Sequence, residues 1–87
     1  MDGTTIAALA TAPAPAGVAV VRVSGPRTRT ALKALFQGKR DPLCHPRTLV
    51  FGDILDFKSS NTIDRGLVVF MPGPSSFTGE DVAEFQF

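Results

Sequence analysis

The sequence predicts an α+β fold: a small mixed or antiparallel β-sheet with one helix on a face. Three observations carry this. A Val-rich run at 18–24 reads as a buried strand, a single segment at 27–36 has helical spacing, and two strand-like runs at 47–57 and 62–71 flank a polar four-residue turn. Helix and strands do not alternate regularly, which argues against a doubly wound parallel sheet. At 87 residues the chain is at most one small domain. Such a chain buries only about 60–65% of its unfolded surface, so its stability margin is thin.

Taken in order, residues 5–10 are moderately apolar and predict a first strand. Residues 11–17 form a Pro/Ala/Gly loop of restricted backbone. The 18–24 strand ends at Gly25-Pro26. Pro26 suits the first turn of a helix, with Ser24 or Gly25 as its cap. Within 27–36, Thr28, Leu32, Leu35 and Phe36 fall on one helical face, and Gly38 is a natural stop. A two-proline loop covers 39–46. The runs at 47–57 and 62–71, joined by Lys58-Ser-Ser-Asn61, predict an antiparallel hairpin. After a Pro72-Gly73-Pro74 turn, 81–86 can pair as one more strand.

Net charge is +1 and 20% of residues are charged, so the overall balance demands no nucleic-acid or membrane partner. Six basic residues cluster in the middle (Arg27, Arg29, Lys33, Lys39, Arg40, Arg47), and the ordinary reading of such a run is a solvated face. Cys44 stands alone: no internal disulfide and no CxxC or Cys/His metal spacing is available to it, Cys44-His45 included. Pro13, Pro15 and Arg22 break the apolar stretch 6–23, so neither a signal peptide nor a transmembrane span is expected, and the chain reads as cytoplasmic. A phosphate-binding loop requires Gly, four residues, then Gly-Lys-Ser/Thr. The only Gly-Lys is Gly38-Lys39, followed by Arg40 and preceded by Lys33 where the first glycine belongs. No nucleophile–base pair is visible, so no catalytic residue and no metal ligand is assigned.

Two groups stand out as candidate ligand contacts. Arg22 lies inside the Val-rich strand and shares a face with Val18, Val20 and Ser24 by alternation. A charge there is costly unless paired. It reads either as half of a salt bridge, to Asp53, Asp56, Asp64 or Glu84, or as a fork of donors aimed at a ligand. The second group is carboxylate-rich: Glu80, Asp81 and Glu84 follow a stiff Pro-Gly-Pro and Ser/Thr/Gly loop. Glu84 can accept two parallel hydrogen bonds from an aminopyrimidinone edge, or it faces solvent or pairs with Arg22. Glu80 and Asp81 read as groups that stiffen the turn through backbone N–H groups. Phe77 either stacks on a flat ligand or plugs a neighbouring core or dimer interface.

Three ordered blocks carry a family resemblance. Met71-Pro-Gly-Pro-Ser-Ser-Phe-Thr-Gly-Glu-Asp-Val-Ala-Glu-Phe-Gln resembles the PGPNSFTGEDVVEFQ segment of the tRNA modification GTPases, the MnmE/TrmE family. Thr5-Ile-Ala-Ala-Leu-Ala-Thr with Gly17-Val-Ala-Val-Val-Arg-Val-Ser-Gly25 resembles its opening TIAALATPPGRGGIGIIRVSG, and Ile63-Asp-Arg-Gly-Leu-Val-Val-Phe sits between the two in the expected order. The resemblance implies that residues 1–87 are the amino-terminal, folate-binding and dimerising domain of such a protein, incomplete at its carboxyl end. Its fold would resemble the folate-binding fold of the glycine-cleavage T protein. It implies a tetrahydrofolate derivative, 5-formyl-tetrahydrofolate, as the bound one-carbon donor, with Arg22 and Glu84 in the family's folate-contacting positions. It implies a homodimer, a flavin-dependent partner protein and modification of carbon 5 of the wobble uridine in tRNA. GTP, magnesium and potassium belong to the family's GTPase domain, which these residues do not carry.

The chain departs from the family pattern in two places. The loop Pro-Pro-Gly-Arg-Gly-Gly becomes Ala12-Pro13-Ala14-Pro15-Ala16-Gly17, losing two glycines and an arginine. Alanine disfavours positive φ, so this loop takes another conformation or is strained. Where the family continues Gln-Gly-His-Gly-Gly, the chain reads Gln86-Phe87. A fragment or shortened form is expected, with exposed apolar surface and a tendency to self-associate. A pairing module that no longer binds folate is the alternative reading.

Overall fold

Among the described residues, one amphipathic helix covers one face of a six-stranded sheet, and no helix covers the other, open face. The computed structural model describes residues 5–11, 19–56, 58–74, 76 and 79–87. The 12–17 loop, Val18 and Phe77 lie outside the described residues. The strands are β1 (Ile6–Thr11), β2 (Val20–Ser24), β3 (Phe36–Gly38), β4 (Val50–Leu55), β5 (Thr62–Met71) and β6 (Val82–Gln86), with helix α1 (Thr28–Leu35) between β2 and β3. Their spatial order is β1-β2-β6-β5-β4-β3, and every described pairing is antiparallel. The predicted α+β class, the first strand, the hairpin and the last strand all agree with this arrangement.

Period-two alternation sorts the residues between the two faces. Val23, Ala83, Phe85, Phe70, Val68, Val50 and Ile54 point to the covered side and are buried. The helix meets them with Thr28 and Leu32, fully or almost fully buried, and Leu35 packs beside them. This is the helical face that the spacing predicts.

Two features of the helix differ from expectation. Its start is neither Ser24 nor Gly25, and Pro26 precedes its first turn. Ser24 ends β2 and turns its hydroxyl toward Glu80, with Oγ donating to Oε2 at 3.4 Å. Gly25 sits at φ 134°, a turn conformation rather than a cap. Thr28 holds the junction instead. Its Oγ1 lies 2.8 Å from the Gly25 carbonyl and 3.0 Å from the Asp81 carbonyl, so its single proton is shared between two acceptors. The helix also stops before Gly38. Phe36 is already extended, at φ −136° and ψ 138°, and Phe36–Gly38 is a short edge strand against β4.

That edge strand depends on a glycine row. Gly38 pairs with Gly52, and Gly52 pairs with Gly66, placing three glycines in register across β3, β4 and β5. The Phe36 ring occupies the space that side chains at Gly38 and Gly52 would fill. Aromatic cover of strand glycines restores the packing that the missing side chains remove.

Candidate functional site

The open face carries the predicted site residues. Arg22 and Glu84 are direct cross-strand partners in the β2–β6 ladder. Arg22 Nε donates to Glu84 Oε2 at 2.8 Å, with the Arg22 side chain 44% exposed and that of Glu84 13%. Gln86 Nε2 donates to the other oxygen, Oε1, at 3.1 Å. Each carboxylate oxygen therefore accepts one N–H from a different side chain. A carboxylate offers about four acceptor sites, so two are used by these bonds.

The chemistry of Arg22 differs from its reading as a charge buried in a strand. Val23 is buried and Arg22 exposed because the helix covers only the face that Val23 joins. Of the four acids considered as partners, Glu84 is the one bonded to it. Asp53 instead accepts from Arg65 at 3.1 Å. Cross-strand opposite charges of this kind contribute roughly 0.2–1 kcal/mol. The pair's importance therefore lies more in orientation than in stability.

Strand register sets the surroundings. Ala8 lies beside Arg22, and Val69 beside Glu84, forming one row across β1, β2, β6 and β5. Gln86 and Leu67 form the next row, and Ser24, Val82 and Met71 the row on the other side. The ion pair is thus flanked by Ala8, Leu67, Val69 and Met71, with Ser24 and Gln86 as polar neighbours, while Val82 is buried.

The turn after β5 closes one end of this surface, and Asp81 fastens it. Asp81 Oδ1 accepts the Gly73 N–H at 3.0 Å, and Oδ2 accepts from Arg29 Nε at 3.1 Å. The Asp81 carbonyl accepts the Gly25 N–H at 3.1 Å. Arg29 also stacks over Phe70, 4.9 Å from the ring centroid. One residue thus ties the turn to the helix start and to the end of β2. The backbone comes so close that a Cβ on Gly73 would lie 2.7 Å from the Gly79 carbonyl. Glu80 contributes its carbonyl to Ser76 Oγ and its carboxylate to Ser24. The expectation that the turn is stiffened through backbone N–H groups agrees with the Asp81 bond to Gly73, whereas Glu80 meets the hydroxyls of Ser24 and Ser76. Sequence reasoning missed Ser24, Arg29 and Gln86 as supports, since none carries a local signal of the partnership it forms across the fold.

Cys44 and His45 sit beside a 3-10 turn, Pro42–Cys44, and both face Asp41: Cys44 Sγ is 3.7 Å from Oδ2 and His45 Nδ1 is 3.0 Å from the carbonyl. No cluster of three metal-ligating side chains occurs among the described residues. No helix among them is long and apolar enough to cross a membrane.

Comparison with known proteins places this arrangement in context. A family model described as "GTP-binding protein TrmE N-terminus" matches residues 5–87. The chain is 46% identical over 81 residues to the tRNA modification GTPase MnmE of Brucella canis, covering 93% of the chain and 17% of that relative. It is 48% identical over 80 residues to MnmE of Parvibaculum lavamentivorans, covering 92% and 18%. To MnmE of Mesorhizobium japonicum it is 45% identical over 87 residues, covering 98% and 18%. The chain spans less than a fifth of the length of these relatives.

Proposed function

The chain belongs to the TrmE amino-terminal family, and from that premise we propose that residues 1–87 are the folate-binding and dimerising part of a tRNA modification GTPase. The observation that carries the folate reading is the Arg22–Glu84 pair, held in register at the centre of an open, largely apolar face. A reduced folate carries a flat aminopyrimidinone ring whose edge presents a ring N–H and an amine. Glu84 already accepts two N–H groups, one on each oxygen, from Arg22 and Gln86. That is the donor pattern such an edge presents, so the carboxylate suits the ligand chemically. The guanidinium of Arg22 supplies a planar fork for acceptors on the same ring. When bound, 5-formyl-tetrahydrofolate would supply a one-carbon unit; the residues here bind and orient it. The fold would then be a partial version of the glycine-cleavage T-protein fold. The longer protein would use GTP, magnesium and potassium in a separate domain, act in the cytoplasm, and work with a flavin-dependent partner on the wobble uridine of tRNA.

Titration calorimetry with 5-formyl-tetrahydrofolate tests this. Charge-assisted hydrogen bonds contribute about 1.5–3 kcal/mol each, so Glu84→Ala, which removes the acceptor of two, is expected to weaken binding by about 150-fold, the low end for the two together. Arg22→Ala is expected to weaken it by about tenfold, the low end of the same range. If both variants bind as tightly as the original chain, the site assignment is wrong.

A second reading has its own support. The acid and base at the centre of the face satisfy each other, and the 12–17 segment lacks two glycines and an arginine of the family pattern. A module that pairs with another copy but no longer takes up folate fits both facts. Ile6, Leu49, Phe51 and Ile63 are exposed large apolar residues, and Ile6, Phe51 and Ile63 alternate onto the open face. Light scattering is expected to show concentration-dependent association. Association without folate heat favours this second reading, and a monomer at every concentration excludes it.

A further inference from the structure

We infer that the β3–β4 edge is a docking surface for unpaired RNA, with Phe51 as a stacking platform and Lys33, Lys39 and Arg40 as phosphate-binding cations. The choice of RNA rests on the reading of the longer protein as one that acts on tRNA; Phe51 shares the open face with the Arg22–Glu84 pair, two strands from Glu84, and neither residue of that pair lines the cleft.

The argument begins with charge. Six of the nine Lys and Arg residues, and one of the eight acids, fall within 27–47. The fold divides this run. Arg29 is taken by Asp81, whereas Lys33, Lys39 and Arg40 have no ion pair among the described residues. They gather at β3. An open cleft of about 760 Å³ on one side of that strand is lined by Lys39, Arg40, Leu49 and Phe51 among others. A second, of about 320 Å³ on the helix side, brings Lys33 together with the same Lys39 and Arg40. The nearby acids are engaged: Asp41 accepts the Leu43 N–H at 2.9 Å, and Asp53 accepts from Arg65.

The cleft also holds an aromatic ring in solvent. Phe51 is 62% exposed and Leu49 52%. Cations on an edge strand discourage unwanted strand pairing, but that role does not require an exposed phenyl group beside them. A cationic groove with a stacking ring is the recognition chemistry of single-stranded nucleic acid. A second copy of this chain fits less well. In a two-fold interface centred here the same patch meets itself, so like charges would face each other.

Fluorescence anisotropy on the 87-residue chain, with a labelled single-stranded RNA long enough to cover one binding groove (about a dozen nucleotides), tests the assignment. Phe51→Ala and Phe51→Leu are both expected to weaken binding by about tenfold, through the removal of stacking, and to leave affinity for duplex RNA unchanged. The double variant Lys39→Gln, Arg40→Gln is expected to lower the slope of log affinity against log salt by ~1.4, about 0.7 for each phosphate that is no longer neutralised. All these positions are exposed, and circular dichroism confirms that each variant folds. Single-strand affinity unchanged in both Phe51 variants, or an unchanged salt slope in the double variant, overturns the proposal. If Phe51→Ala abolishes self-association while RNA affinity stays constant, the edge is a protein interface and the proposal also fails. Folate calorimetry on the same samples keeps the two readings apart: missing folate heat leaves the anisotropy result standing, and the converse holds.

Discussion

Gly52→Ala is expected to destabilise the chain by about 3 kcal/mol, a large share of a total stability on the order of 5 kcal/mol for a domain of this size. A Cβ at position 52 would lie 2.5 Å from the Gln37 carbonyl oxygen and 2.6 Å from Cζ of Phe36. Neither neighbour can yield independently. The carbonyl belongs to β3, which holds Phe36 against Ile54, and the ring is part of the main core. Relief requires β3 to peel away, which uncovers Phe36 and Ile54 together. Urea unfolding followed by circular dichroism reads the effect as a midpoint shift of about 1–2 M. A loss below about 1 kcal/mol, well under ordinary overpacking costs, would mean that β3 is not docked against β4 in this register.

Asp81→Ala is the second large effect, and it acts on the turn beside the candidate site. The substitution removes the acceptor for the Gly73 N–H and the partner of Arg29. The charge-assisted bond to Gly73 is partly buried and contributes about 1.5–3 kcal/mol, whereas the Arg29 pair is half-exposed and contributes at most about 1 kcal/mol. An overall loss of about 2 kcal/mol is expected, with faster hydrogen exchange at the Gly73 amide. Asp81→Asn separates the two contributions. It keeps an oxygen for Gly73 but not the charge, so most of the amide protection should return at a cost of about 1 kcal/mol. The backbone carbonyl of Asp81 still accepts from Gly25 and Thr28 in both variants. If Gly73 exchanges equally fast in the original chain and in Asp81→Ala, the side chain does not hold the turn.

Much of the architecture is legible in local patterns. Thr28, Leu32 and Leu35 line one helical face, and their packing against the core agrees with that spacing. The hairpin of β4 and β5 follows from two strand-like runs around Lys58-Ser-Ser-Asn61, and β6 follows from the apolar run after the turn. The edge strand is hidden because Phe36 satisfies two patterns at once. It continues the helical stripe, yet its backbone is extended and its ring covers Gly38 on its own strand and Gly52 on the neighbouring one. A three-residue strand leaves no periodicity to read. Gly38 resembles a helix stop for the same reason, although it serves a close approach between strands.

The candidate site is half legible. Arg22 and Glu84 each stand out by residue type and motif, but residue order leaves four acids as possible partners of Arg22. Only strand register selects Glu84, across 62 positions of chain. The exposure of Arg22 is likewise unreadable, because a Val-rich run looks the same whether one face or both are covered.

The order of residues by itself determined family membership, the α+β class, the helical face and the stiff acidic turn, since each is written in short-range spacing or in contiguous motifs. The tertiary structure alone decided which face the helix covers, which acid meets Arg22, and how the central basic run divides between Asp81 and the β3 edge. Those outcomes depend on hydrogen-bonded register between strands distant in the chain, and a one-residue slip in that register would send every side chain to the opposite face.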